Sequence, residues 1–318
     1  MIKTLKVIGK VLLAVLILVV IFLLAVFVYH KIKMKNEEAL LKPLGQMVEV
    51  DGHDMSIYYE GKGEKTLVFL SGSGTASPIL DFKSLYSLLS DDYRIVVIEK
   101  FGYGFSDIVD DERSFDTILR QDREALSKVG ITGPYILCPH SMSGLEAILW
   151  AQSYPDEVEA IVGLDMSLPR AYDHFDFDGI VFKERLAGIA RELGLVRFFY
   201  TDGSLPQALS KEEKDIYKAI GCRIAVNEDI INEGQAIPEA CKTIDKMPKP
   251  DIPMLMFVSD GKETGIDNWI DIQKEYASDL SNAKVIELDC GHYVHNYKQE
   301  QISAEMKVFI EGLRKKKD

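Results

Sequence analysis

The sequence predicts an α/β protein, with a mostly parallel sheet, helices on both faces and a helical insertion. One N-terminal helix long enough to cross a membrane precedes it. Three observations predict this. Short apolar runs ("TLVFLS", "YRIVVIEK", "YILCPH", "AIVGLDM", "PMLMFVS", "KVIELDC") alternate with segments whose apolar residues recur at helical spacing. Residues 169 to 250 break that alternation with helix-like and loop-like sequence alone. Residues 11 to 29, "VLLAVLILVVIFLLAVFVY", carry no charge.

The uncharged run comes first. As a helix it rises about 28 Å, close to the hydrocarbon thickness of a bilayer. A cleaved signal sequence would have a shorter apolar region, roughly 7–15 residues, and a small-x-small site after it. The following "VFVYHKIKMK" offers no such site. The run therefore reads as a retained anchor contacting the lipid bilayer through residues 11–30, with a short tail at 1–10 and a linker at 31–45. The α-amino group, Lys3, Lys6 and Lys10 precede it. Lys31, Lys33 and Lys35 follow, offset by Glu37 and Glu38. The positive-inside tendency then expects a single-pass membrane protein with its folded domain outside the cytoplasm.

From residue 46 the chain reads as a folded domain. "MVEV", a turn at Asp51-Gly52 and "MSIYYE" form a β-hairpin pattern. Strands separated by "DFKSLYSLLSD", "FDTILRQDREALSKVG" and "GLEAILWAQSYP" need helical crossovers, hence a parallel sheet. The expected division is a core first part at 46–168, a helical insertion at 169–250 and a core second part at 251–318. With 318 residues, 47% of them hydrophobic, the core needs no staples. A net charge of −13 argues against nucleic acid, whose phosphates want a basic face. Of four cysteines none has metal-ligand spacing. Cys138 reads as a core thiol, and Cys222 and Cys241 are candidates to pair in an oxidising compartment.

The chemistry is concentrated at Ser141. An apolar strand ends in Pro139-His140-Ser141-Met142-Ser143-Gly144 and a helix pattern begins at once. That corner matches a nucleophile elbow, which lifts a hydroxyl above a sheet and turns the next N–H, of Met142, toward a developing oxyanion. The pattern G-x-S-x-G has lost both glycines here. Ser143 as nucleophile would put the bulky Leu145 two positions on, so Ser141 is the candidate. Gly72-Ser73-Gly74 follows a strand and can supply a second oxyanion donor, the N–H of Ser73. A dinucleotide fingerprint fails there, because Ser77 stands where its third glycine belongs. His292 follows the last strand and can reach Ser141. His295 makes an HxxH pair with it, but no carboxylate cluster supports a metal. His174, in the insertion, is placed to touch a substrate, and the aromatics of "RAYDHFDFDGIVF" suit an apolar pocket or core packing.

Four pieces in order, "LSGSG", "EKFGYGFSD", "PHSMSG" and "CGHYVH", resemble the α/β-hydrolase superfamily of the serine-hydrolase type over about residues 46 to 315. The resemblance implies an eight-stranded α/β-hydrolase fold in which residues 169–250 form a cap. It implies a Ser141-His292-acid triad acting on an acyl substrate of partly apolar character, with no cofactor and no metal. Ser71 departs from a common histidine. A serine nucleophile argues against the dehalogenases and epoxide hydrolases of the superfamily, which use aspartate. Most related enzymes carry the acid after the seventh strand, about nine residues past its opening proline. Here that count lands on Lys262, flanked by Asp260 and Glu263. Some relatives place it at the end of the sixth strand, which is Asp165 in this chain. Asp165 is preferred, because an aspartate closing an apolar strand needs a partner. Asp260 and Glu263 stay as alternatives. An inactive fold acting as a membrane-tethered binding module, or a peptidase, thioesterase or C–C hydrolase on the same triad, would share these motifs.

Overall fold

The computed structural model describes residues 2–314. Eight strands form one sheet in the order β1-β2-β4-β3-β5-β6-β7-β8. β1 (Gln46–Val50) and β2 (His53–Glu60) are the expected hairpin. Both turn residues, Asp51 and Gly52, have positive φ, as the twist of a two-residue hairpin demands. β2 is antiparallel to β4 (Arg94–Glu99). The remaining pairings, among β3 (Thr66–Leu70), β4, β5 (Tyr135–Pro139), β6 (Val158–Leu164), β7 (Met254–Val258) and β8 (Ala283–Glu287), are parallel.

Every residue of β3 and β5 is buried, so these central strands read as unbroken apolar runs. Alternate side chains serve opposite faces. Val68, Leu137 and Met256 belong to one core cluster, and Phe69, Cys138 and Phe257 to the other.

The helices are α1 (Ile2–Asn36), α2 (Pro78–Asp81), α3 (Lys83–Tyr86), α4 (Phe115–Lys128), α5 (Ser143–Ser153), α6 (Phe177–Glu192), α7 (Lys211–Ile224), α8 (Glu228–Asp245), α9 (Trp269–Ser278), α10 (Val294–Tyr297) and α11 (Gln299–Arg314). The α6–α8 segment lies between β6 and β7, where the strand rhythm failed. "DFKSLYSLLSD", residues 81–91, holds one short turn, α3, and a second turn, α2, ends at its first residue, rather than one helix running through it. Ile79, Phe82 and Leu85 are all buried there, so packing onto the sheet overrides helical continuity.

The N-terminal segment differs most from expectation. α1 reaches a mean hydropathy of 3.7, is 6% buried in that stretch, and is long and apolar enough to cross a membrane. It extends through the expected tail and continues to Asn36, into the expected linker. The rest of residues 31–45 is not free either. Arg197 pairs with Glu37 through both nitrogens at 2.9 and 2.8 Å and donates to His30 Nδ1 at 2.9 Å. Leu40, Leu41 and Leu44 pack against a small cluster that includes Leu205 and Leu209. Arginines spaced along the insertion cannot be matched to such partners from sequence distance alone.

Cys222 and Cys241 are free thiols, which corrects the pairing considered above. Cys222 sits in α7 near Arg197, whereas Cys241 in α8 faces the carbonyl of Pro169.

Candidate active site

The corner after β5 is built around a strained residue. Ser141 has φ +55°, in the left-handed region that costs a non-glycine residue roughly 1–2 kcal/mol. Close approach of the neighbouring loop is what holds it. A Cβ on Gly72 would come within 2.6 Å of the Ser141 Cβ, and one on Gly144 within 2.2 Å of the Ser167 carbonyl oxygen. The two lost glycines have local explanations. The Ser143 hydroxyl is buried, donates to the Leu70 carbonyl at 2.7 Å and accepts from the His140 N–H at 3.0 Å. It braces the corner from inside and is not presented to solvent. Pro139 falls between the β5–β6 pairing, which reaches Leu137, and the single bridge from His140 to Leu164, so no pairing to β6 is lost there.

Three side chains from three strand ends meet above the sheet. His292, after β8, has Nε2 at 2.9 Å from Ser141 Oγ and Nδ1 at 2.6 Å from Asp165 Oδ2. Asp165 is fully buried at the end of β6. Its other oxygen accepts from the Ser259 N–H and the Trp269 indole N–H, each at 2.7 Å. Those donors give the buried oxygen hydrogen-bond partners inside an apolar sheet end.

The alternative acids lie elsewhere. Asp260 pairs with Lys262 at the surface, a contact that lowers its pKa. Glu263 accepts from the backbone N–H of His292 at 2.8 Å rather than from its ring.

The loop carrying His292 is held at both ends of its peptide. Glu263 takes the N–H, and His140 Nε2 lies 3.2 Å from the carbonyl. Burial, and then His292 and His295, drive the His140 pKa well down, so its neutral ring donates from Nε2. Neither brace was legible in the sequence. His140 is marked only by its place in the corner, and Trp269 and Ser259 carry no motif at all. His295 is buried against Asp81 at 2.7 Å, and no group of residues with metal-binding composition occurs among the described residues.

A cavity of about 180 Å³ opens on this line of side chains. Ser73 and Met142 border it beside Ser141. The stretch between β6 and β7 lines it with Tyr172, Phe175, Phe177, Ile180 and Ile237, so part of "RAYDHFDFDGIVF" does form an apolar pocket wall. His174 lines a neighbouring cleft instead.

Comparison with known proteins agrees with this architecture. A sequence profile described as alpha/beta hydrolase fold matches residues 65–298. A Bacillus subtilis protein, described as uncharacterized protein YbdG, is 38% identical over 310 residues, 94% of each chain. A Paraburkholderia phymatum 2-hydroxy-6-oxononadienedioate/2-hydroxy-6-oxononatrienedioate hydrolase is 32% identical over 116 residues, 35% of this chain and 40% of that one. Among solved structures, haloalkane dehalogenase DbeA from Bradyrhizobium elkani superposes with a TM-score of 0.64 at 18% identity, covering 85% of this chain and 98% of that one. At that identity the likeness speaks for the fold alone. The profile spans most of the sheet and every strand end that carries Ser141, Asp165 and His292, and on that match the chain belongs to the alpha/beta hydrolase family.

Proposed function

We propose that this chain is a membrane-anchored serine hydrolase that cleaves an ester-like or amide-like acyl bond. The observation that carries the reading is the continuous line Ser141 Oγ–His292–Asp165 opening into a cavity. Ser141 Oγ attacks the acyl carbonyl carbon while His292 Nε2 takes the hydroxyl proton. The imidazolium then passes that proton to the leaving group as the acyl bond breaks. Water, deprotonated by the same nitrogen, cleaves the acyl-serine and returns the proton to Ser141. Asp165 accepts from the Nδ1–H and holds that tautomer throughout.

The N–H groups of Ser73 and Met142 receive the oxyanion. One such donor is worth about 3–4 kcal/mol of transition-state stabilisation. The α6–α8 segment acts as a cap whose apolar wall excludes water from the acyl chain. α1 anchors the domain in a bilayer, and the lysine bias around it favours an extracytoplasmic domain.

The test is labelling by a serine-reactive fluorophosphonate, combined with turnover of p-nitrophenyl esters of rising chain length. Labelling and turnover that both vanish in Ser141→Ala are expected. A chain that folds but neither labels nor turns over any ester acts as a membrane-tethered binding module instead. Protease added to intact cells or protoplasts should remove the domain, and full protection would reverse the orientation.

A further inference from the structure

We propose that the acyl substrate carries a compact cationic nitrogen, which Glu184 receives inside the Ser141 cavity. This rests on the serine-hydrolase reading above and narrows its substrate class.

Glu184 lies on α6, and its side chain borders the same cavity as Ser141 and His292. Its Oε2 is buried with no hydrogen-bond partner. An orphaned carboxylate oxygen in an apolar wall is costly unless something arrives to pair with it. The nearby Glu233 offers no relief, since it is itself a buried carboxylate engaged by Lys100 and Tyr103.

The wall around Glu184 fits a cation. Tyr172, Phe175, Phe177 and Trp269 line the cavity, and aromatic faces attract an ammonium group, most strongly where water is excluded. Among the described residues that line the cavity there is no lysine and no arginine, and Glu263 adds a second carboxylate.

The surroundings repeat the sign. A larger cleft of about 690 Å³ shares Phe175 and Ile266 with the Ser141 cavity. Asp173, Asp267, Asp271 and Glu275 line that cleft, and Arg170, its one arginine among the described lining residues, is paired with Glu275. A cation approaching Ser141 through it meets carboxylates throughout, and such focusing raises its local concentration. Burial and the charge of Glu233 push the Glu184 pKa up to about 7, as expected for an acid still lacking its partner.

The experiment compares two p-nitrophenyl esters of equal shape on the full chain in detergent. One is a dimethylammonium-terminated butanoate, whose N–H can donate to Glu184, the other its uncharged isopropyl counterpart. The expected result is a kcat/KM higher for the cationic ester, abolished for both by Ser141→Ala. Glu184→Gln should cut the cationic-to-neutral ratio on the order of 10–100-fold, the range for a lost hydrogen bond or contact to a charged group. A ratio of kcat/KM values is not moved by a general loss of folded enzyme.

Ser141-dependent turnover that favours the neutral ester, or treats the two alike, would overturn the cationic substrate while leaving the hydrolase reading intact. A cationic preference that survives Glu184→Gln would overturn the assignment to Glu184. Absence of turnover together with absence of fluorophosphonate labelling would defeat the hydrolase reading and this inference with it.

Discussion

Two clusters of buried titratable side chains flank the start of α5, and they are built on opposite plans. At one, Ser141, His292 and Asp165 form a line with an open end on a cavity. At the other, Lys100 is closed in on every side. Its ammonium lies 3.2 Å from Glu146 in the first turn of α5 and bonds Glu233 of α8, which also takes the Tyr103 hydroxyl. Lys100, Glu146 and Glu233 are each at most 1% exposed.

Burial works against the Lys100 charge, but the two carboxylates outweigh it and hold its pKa well above the ordinary value. Burial and the facing Glu146 push the Asp122 pKa well above the usual carboxylate range. The closed cluster uses its charges to tie the end of β4, α5 and α8 together. The open one leaves a hydroxyl unclaimed on one side, and that side is where chemistry can occur.

The difference can be broken from its open end first. Ser141→Ala should lower kcat by about 10⁶-fold, the scale of losing a triad nucleophile, while the melting temperature holds, since alanine keeps the Cβ and with it the strain at this positive φ. Ser143→Ala should keep labelling and lose about 1 kcal/mol of stability with its buried hydrogen bond. An exchange of those two outcomes would move the nucleophile.

Next in size is Asp165→Asn, expected to cut kcat by about 10⁴-fold with KM nearly unchanged, because the amide no longer fixes the His292 tautomer. Asp260→Asn should stay close to wild type. Steady-state kinetics on one soluble ester decides both.

The closed cluster should respond in stability rather than turnover. Lys100→Met leaves two buried carboxylates without their cation and should cost about 3–5 kcal/mol, read from the denaturation midpoint. Labelling of the folded fraction should persist.

Glu99 sharpens the comparison as a third way of burying an acid. It accepts the Phe105 N–H, forms no ion pair among the described residues, and burial raises its pKa to about 7. The folded value then exceeds the unfolded one of 4.5. The native state binds more protons in that window, so this group's contribution to stability falls as pH rises from about 4.5 to about 7, then stays level. The full change is about 3 kcal/mol. The difference in unfolding free energy between wild type and Glu99→Gln, followed from pH 4 to 8, should carry this slope.

Local pattern sufficed for much of the fold. Alternating apolar runs and helical spacing revealed the strands, since a buried parallel strand has no polar face to conceal it. The hairpin was marked by Asp51-Gly52, whose positive φ values few other residue pairs adopt. The meeting of Ser141 with His292 was foreseeable because both lie at strand ends of one parallel sheet, and such ends share an edge. Asp165 against Asp260 or Glu263 could only be ranked. All three lie near the same edge, and the choice depends on which carboxylate the His292 ring faces.

What the sequence determined by itself is whatever follows from neighbours along the chain: an apolar helix of membrane length, the strand periods, the serine corner and the order of motifs. These depend on local backbone preference and on the energy of burying a patterned face, both readable within a few residues. Tertiary structure alone decided which distant groups share a space. Arg197 meeting His30 and Glu37, Lys100 meeting Glu146 and Glu233, His140 and Glu263 holding the His292 peptide, and Glu184 left unpaired in the cavity wall all join residues far apart in sequence. The physical reason is range. Hydrogen bonds and buried ion pairs act over a few ångströms, and the sequence fixes which groups exist long before folding fixes which ones come that close.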